Sequence, residues 1–543
     1  MARARLRIWG WYFFDWASQP YSTLLLTFVF APYFAEVARG RYLAEGMDAV
    51  AAGAAAQSLW ATGLGARSLG LRRGRISGFI RAIHGGAMAR ARLRIWGWYF
   101  FDWASQPYST LLLTFVFAPY FAEVARGRYL AEGMDAVAAG AAAQSLWATG
   151  LGAASLVVAL LAPLLGAVAD AGGRRLVWIW GFSAFYILGS AGLWALAHGG
   201  DGLVWALVCF GLGFVGMEFA TIFTNALLPS LGPRDRIGEI SGSGFAFGYL
   251  GGVLALALML LFLAESAQTG RTLIGLPPAF GLDPELREGT RAVGPFTALW
   301  YAVFMVPFFL WVREPALPRS PVRFGAALGR LGSFLKSLPR RRSLAAYLAS
   351  SLLYRDALNA LYGFGGVYAS GVLGWSIIQI GVFGVVGAVT ATVASWAGGR
   401  ADRRFGPKPV IAVCILLLTA VCILIVGTAR ESLFGQPLPE GSRLPDLIFF
   451  GCGALIGGAG GALQAASRTL MACHTTPERA TEAFGIYALS GKVTSFLAPF
   501  LIALATGLSG SQRAGIAPLI LLFLAGLVLL VWVKPGGEQR AVT

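Results

Sequence analysis

From residue 88 to the C-terminus, twelve apolar runs alternate with short polar segments, and each run is long enough to cross a membrane as a helix. They cover roughly 95–124, 143–168, 176–198, 203–229, 240–265 and 293–312, then 344–370, 375–398, 409–428, 446–471, 483–507 and 513–533. About 20 apolar residues span ~30 Å of hydrocarbon as an α-helix. Backbone polar groups in lipid must be bonded within the segment, so these runs predict helices. The alternating segments of an outer-membrane barrel are absent from the pattern. The predicted fold class is an all-α membrane protein with twelve transmembrane helices.

The runs fall into two sets of six. Gly166-Ala167-Val168-Ala169-Asp170-Ala171-Gly172-Gly173-Arg174-Arg175 follows the second run. Gly398-Gly399-Arg400-Ala401-Asp402-Arg403-Arg404-Phe405-Gly406-Pro407-Lys408 follows the eighth, with its Asp 232 positions later. Each reads as a small residue, three more, Asp, then glycine and a basic cluster. A loop repeated at half-chain spacing predicts two pseudo-symmetric halves, which is a transporter architecture. The predicted domains are 88–312, a linker 313–343, a second half 344–535 and a tail 536–543. Within the linker, Phe324, Leu328, Leu331, Phe334, Leu335 and Leu338 recur at helical spacing among basic residues. That pattern fits either an amphipathic surface helix or a plain linker.

Composition agrees with the membrane reading. The chain is 57% hydrophobic and 13% charged, about half the charge of a soluble domain. Its formal charge of +17 would suggest nucleic acid in a soluble protein. Here the cations cluster in alternate loops, at Arg174/Arg175, Arg234/Arg236, 313–342, Arg400/Arg403/Arg404/Lys408 and Arg468/Arg479. These loops and the termini hold roughly three-fold more Lys and Arg than the opposite set, which places both termini in the cytoplasm. No recognition motif accompanies the charge, so no nucleic-acid partner is predicted. The five cysteines lie mostly in apolar runs without paired spacing, and the three histidines are scattered, so neither a disulfide nor a metal site is expected.

Residues 1–66 recur unchanged as 88–153. An old repeat would have drifted. We expect the working protein to begin at Met88, with 1–87 a duplication scar or artefact. The rival reading is two further spans near 8–35 and 48–66.

The six-plus-six arrangement with these loops resembles the major facilitator superfamily. The stretches 101–121, 225–252, 353–371 and 461–499 narrow the match to its vacuole effluxer-like branch, also called the unknown-major-facilitator family. The resemblance covers nearly all of 88–543. Ala171, where a basic residue is common, and Ala483, where an aromatic is expected, depart from the family pattern. The resemblance implies a transporter, with amino-acid efflux as its specific case, and it implies a cytoplasmic gate built on the loop residues Gly166, Asp170, Gly173, Arg174 and Arg175 and their echo Gly398, Asp402, Arg403 and Gly406. A carboxylate there can cap a helix N-terminus or pair with an arginine.

Ionisable groups at membrane depth are costly and mark cavities or partners. Asp102, Glu218, Arg355, Asp356 and Lys492 are the candidates for substrate binding or proton coupling, with the amides Gln106 and Asn359 one turn from Asp102 and Asp356. Asp356 lies ~18 Å and Asp102 ~14 Å into their runs. The two Asp–amide pairs occupy corresponding spans and predict a pseudo-symmetric lining of a central cavity. Arg355 could meet Glu218 or a substrate carboxylate. Asp356 could take a proton, a substrate amine or Lys492. Static pairs locking the helices together are the structural alternative for all of these charges.

The expected function is secondary active transport of a small polar solute by alternating access, coupled to protons. A lipid or amphiphile flippase, or a non-transporting receptor or assembly factor, are the alternatives. No enzyme activity, cofactor or ATP-binding loop is expected. The expected setting is a monomer in the bilayer of a bacterial cytoplasmic membrane.

Overall fold

The computed structural model describes residues 75–314, 336–493 and 497–537, apart from positions 268, 374, 376 and 510, together with 329, 332 and 333. The chain forms two compact units, Met1–Met88 and Ala89–Thr543. In the first, the described residues 75–88 are helical. The extra spans near 8–35 and 48–66, and most of the linker helix within 313–342, fall outside the described residues.

Among the described residues of the second unit, eleven helical spans have the length and apolar content of a membrane crossing. They are Arg90–Ala131, Ala138–Gly172, Arg175–Ala195, Leu203–Ser230, Arg234–Leu263, Glu288–Trp311, Val382–Phe405, Pro407–Gly427, Leu444–Cys473, Pro477–Thr506 and Arg513–Leu530. The helix Arg342–Gly371 is the remaining span, seventh in chain order. It is long enough but more polar, because Ser350, Ser351, Arg355, Asp356 and Asn359 interrupt its apolar run. A helix with polar groups on several faces must be shielded from lipid by neighbours. This one packs against the tenth, eleventh and twelfth spans.

Several spans depart from straight α-helix. The first passes through a π-helical stretch, Tyr108–Phe115, directly after Pro107, whose ring cannot continue the ordinary ladder. The fifth ends in a π-helical turn, Met259–Leu263. The eleventh, expected as one run over 483–507, covers Pro477–Thr506, with helix described over Ala480–Val493 and Leu497–Ser509. A two-stranded hairpin pairs Ser432–Leu433 with Gln436–Pro437 between the ninth and tenth spans.

The two-half reading is visible in the packing. Across the halves, the second span packs on the eleventh and the fifth on the eighth. Shifting each partner by six spans exchanges the two seams, as a pseudo-two-fold requires. Both seams run on glycine. A Cβ on Gly166 would stand 2.6 Å from the carbonyl oxygen of Thr481. One on Gly242 would stand 2.5 Å from the carbonyl oxygen of Ser395. Backbone lies against backbone at both places, so no side chain larger than hydrogen fits.

Core and lipid faces separate cleanly. Trp98, Tyr108, Phe117, Tyr186, Phe210 and Tyr301 are fully buried in the first half, with Tyr301 stacked on Tyr186 and Tyr108 meeting it edge-on. Large apolar side chains such as Leu160, Leu188, Val204, Leu299 and Leu521 lie exposed. On a membrane helix these form the surface that meets acyl chains.

Candidate functional site

The loops after the second and eighth spans each lie at a seam between the halves. Gly173 takes φ +59 to end the second span, a left-handed conformation that glycine adopts without strain. Asp170 then turns across the seam. Its carboxylate accepts the backbone N–H groups of Thr481 (3.2 Å) and Glu482 (2.8 Å), the first turn of the eleventh span. A negative charge at a helix N-terminus is favourable because unpaired N–H groups and the helix dipole face it. Arg175, fully buried, donates to Asp170 at 2.6 Å and to the carbonyls of Pro477 and Ala226. One arginine thus ties the second, fourth and eleventh spans at one membrane surface. Arg174 points outward, exposed.

The echo loop sits at the other seam. Asp402 is buried and lies against Gly238 at the start of the fifth span, where a Cβ would collide with its carboxyl group. Its Oδ2 has no hydrogen-bond partner. Arg403 pairs with Glu239 at 2.8 Å on the exposed rim. Gly398 packs against Ala462, and Gly406 takes φ +87 to enter the ninth span.

One layer deeper, a residue outside the candidate set bridges the halves. Arg468, on the tenth span, is 3% exposed, and among the described residues its guanidinium hydrogen-bonds to the first half. It bonds both Asp102 oxygens (3.0 and 3.2 Å), the Asn225 side-chain oxygen (3.2 Å), the Ser241 hydroxyl (3.0 Å) and the Ser241 carbonyl (2.7 Å). The rings of Trp98 and Phe245 flank the cation at 4.5 and 4.1 Å. Gly244 leaves room for the Asp102 carboxylate. Reading Arg468 as a loop cation is therefore corrected: it lies within the apolar span that ends at Cys473. The signal was present, since the predicted run 446–471 already contained it.

A second repeat also went unread. Arg236-Ile237-Gly238-Glu239-Ile240-Ser241-Gly242 and Arg479-Ala480-Thr481-Glu482-Ala483-Phe484-Gly485 share the pattern R-x-x-E-x-x-G. Each opens the span that receives a gate aspartate, and each final glycine is the seam glycine of its helix.

Toward mid-depth the halves meet again. Lys492 on the eleventh span donates to Glu218 on the fourth at 2.8 Å, with both side chains about one-fifth exposed (21% and 20%). The ammonium also lies 4.7 Å from the Phe214 ring. Gln464 donates to the Tyr249 hydroxyl at 3.0 Å, joining the tenth and fifth spans. Glu218 thus faces Lys492 rather than Arg355. Arg355 lies over the Tyr487 ring at 4.2 Å and donates to the Tyr487 carbonyl at 3.1 Å. No carboxylate among the described residues stands within ion-pair range of it.

Asp102 and Asp356, the carboxylates of the two predicted Asp–amide faces, have different surroundings: Asp102 bonds Arg468, and Asp356 bonds backbone. Asp356 is 3% exposed and accepts the Ala498 backbone N–H at 2.9 Å. It thus bonds the backbone of the eleventh span and does not reach Lys492. Asn359, one turn on, is exposed together with Tyr362 and Gly363. Gln106 is half-buried, and its side chain fills the space opposite Gly252. The helical face carrying Asn359 and Tyr362 leads from the Gln464–Tyr249 contact toward the surface opposite the gate. Among the described residues no cluster of His, Cys, Asp and Glu could hold a metal ion.

Comparison with known proteins supplies the wider frame. The model of the family described as "Vacuole effluxer Atg22 like" matches residues 90–540. The Bacillus subtilis protein described as "Uncharacterized MFS-type transporter YxiO" is 26% identical over 445 residues, covering 80% of this chain and 94% of that protein. Autophagy-related protein 22-1 of Aspergillus niger is 24% identical over 318 residues, 56% of this chain and 48% of that protein, so the match spans about half the fungal relative. Among solved structures, the human organic anion transporter MFSD10 superposes with TM-score 0.61 at 19% identity, covering 81% of this chain and 99% of that one. A bacterial homologue of the iron transporter ferroportin, in an outward-facing state, gives TM-score 0.54 at 16% identity over 81% and 98%. At these identities the structural likeness concerns the fold.

Proposed function

The chain belongs to the vacuole effluxer Atg22-like family of the major facilitator superfamily and is a multi-pass membrane transporter of that type, and from this premise we propose that it moves a small polar solute by alternating access, driven by a proton gradient. The Arg468 contact carries the reading. A buried cation of one half hydrogen-bonded to the other is stable only while the halves are closed at that end. The gate bonds of Asp170 and Arg175 act in the same direction and at the same surface. Rocking the halves apart would break all of them together, which is the change alternating access needs.

The surface that carries the gate is the arginine-rich one, so by the positive-inside rule the conformation described is closed to the cytoplasm. The Lys492–Glu218 pair also bridges the halves and is partly open to solvent. A carboxylate there can exchange its ammonium partner for a proton or a substrate amine, and Arg355 offers a planar cation to a substrate carboxylate. An amino acid carries both groups, which supports amino-acid efflux as the specific reading.

The test is uptake of a labelled amino-acid mixture into proteoliposomes of the full chain, with and without an imposed pH gradient, beside Glu218→Gln. Gradient-driven flux that the variant loses is the expected result. Flux indifferent to the gradient removes proton coupling. No flux above empty liposomes from well-folded protein removes amino acids, and movement of a labelled lipid in the same vesicles would identify a flippase.

A further inference from the structure

The segment 264–287, between the fifth and sixth spans on the surface opposite the gate, is built unlike a solvated connection. Its base is held by a buried knot. Glu265, 5% exposed, accepts the Thr290 backbone N–H (3.1 Å) and hydroxyl (2.7 Å), and Arg287 approaches it at 3.2 Å. Its tip, by contrast, is apolar and uncovered. Leu273 is 75% exposed, Ile274 50%, Leu276 51% and Phe280 93%.

Two further observations say what covers them. The Leu273 N–H donates to the carbonyl of Leu260 at 3.1 Å, and Leu260 lies three residues inside the end of the fifth span at Leu263. The loop therefore folds back alongside the span to a level ~4.5 Å below its end, at 1.5 Å per residue. Its apolar tip continues the exposed apolar surface of that span, where Phe262 is 44% exposed. Phe280, the most exposed of these side chains, sits at φ 63, a left-handed conformation that a bulky residue adopts only at a cost in strain. Leaving an aromatic ring in water would not repay that strain. Seating it at the boundary of headgroups and acyl chains, where aromatic residues concentrate, would.

We propose that this loop is an interfacial anchor that inserts Leu273, Ile274, Leu276 and Phe280 into the bilayer leaflet opposite the gate. Arg271, which closes the tip by donating to the Gly275 carbonyl at 2.8 Å, lies at the level of the lipid phosphates. The anchor fixes the outer ends of the fifth and sixth spans to the membrane, so the first half moves with the leaflet. The inference needs only that the spans cross a bilayer and is independent of the transported solute.

The experiment uses the full chain in liposomes of phosphatidylethanolamine and phosphatidylglycerol, with a nitroxide on a cysteine introduced at Leu276 or Phe280. Glu285→Cys serves as the aqueous reference, and the unsubstituted protein, four of whose five cysteines are buried, as the labelling blank. Power saturation then compares collision with oxygen and with a water-soluble nickel chelate. The expected result is an oxygen-to-nickel ratio several-fold above that at Glu285, equivalent to a depth of ~5–10 Å. A ratio equal to that at Glu285 overturns the anchor and leaves a solvated loop or a lid. As a second arm, Leu273→Ser with Ile274→Ser and Phe280→Ser should bring a label at Leu276 out to the aqueous value. If that label stays deep, the apolar tip is not what seats the loop and the proposal fails.

Discussion

Replacing Asp102 by Asn should open the gate end. Arg468 would keep its bonds to Asn225 and to the Ser241 carbonyl and its two flanking rings, but lose its only carboxylate partner. Removing one member of a buried pair costs about 3–5 kcal/mol when nothing compensates. The remaining acceptors, and the 12% exposure of Asp102, reduce this to about 2 kcal/mol. Only the state closed at the gate bears that cost, because separation of the halves returns the guanidinium to water. At 1.4 kcal/mol per decade, the closed-to-open ratio should fall roughly 30-fold.

The assay is the distance between nitroxides at Arg174 and Glu478, exposed positions on the loops of the second and eleventh spans, measured by pulsed dipolar spectroscopy in nanodiscs. Asp102→Asn should move population from the short to the long distance. Asp102→Asn combined with Arg468→Gln should move less than the single variant, since the unpaired buried charge is then gone, giving a coupling of about 1 kcal/mol or more. An unchanged distribution in Asp102→Asn, or a double variant that simply adds the two single effects, would refute the lock.

Gly166→Val should open the same distance at least as far, because its Cβ would stand 2.6 Å from the Thr481 backbone, whereas Gly181→Ala, with nothing within 4 Å, should leave it unchanged. Asp356→Ala should lower thermal stability by about 1–2 kcal/mol through the lost hydrogen bond from Ala498, and Asp356→Asn, whose amide oxygen can still accept it, should recover most of that. If Asp356→Asn abolished flux at unchanged melting temperature, a proton-carrying role would replace the structural one. Lys492→Met should abolish solute flux while the protein stays folded, as judged by size-exclusion profile, because Glu218 then loses its partner across the halves. A chain begun at Met88 should insert and melt as the full chain does; loss of folding would show that residues 1–87 are structural.

Much of the fold was legible because membrane helices announce themselves by length and apolarity, and eleven of the twelve runs meet that criterion on their own. The seventh was legible for a different reason. Its pattern stays helical although its polar residues lower its hydropathy, and those residues mark it as shielded. The bond between Asp356 and Ala498 was not legible, because the two residues stand on different spans 142 positions apart.

The site was half legible for the same physical reason. Sequence spacing tells which residues share a helix face, so it picked out Asp102, Glu218, Arg355, Asp356 and Lys492 as costly groups needing partners. It cannot tell which faces meet across the halves. Glu218 finds Lys492 at a separation of 274, and Asp102 finds Arg468 at 366. The repeats supply part of what spacing lacks. A loop echoed after the second and eighth spans, and R-x-x-E-x-x-G echoed at the starts of the fifth and eleventh, belong to two seams related by symmetry. In one seam Asp170 meets Thr481 and Glu482, and in the other Asp402 meets Gly238, so either pairing could be inferred from the other. Arg468 has no such echo. In the first half the matching position need not be charged, because one cation bound by several partners suffices to lock both halves. The least symmetric residue of the proposed gate is therefore the one that pattern reading passes over, and it is the one on which the proposed lock rests.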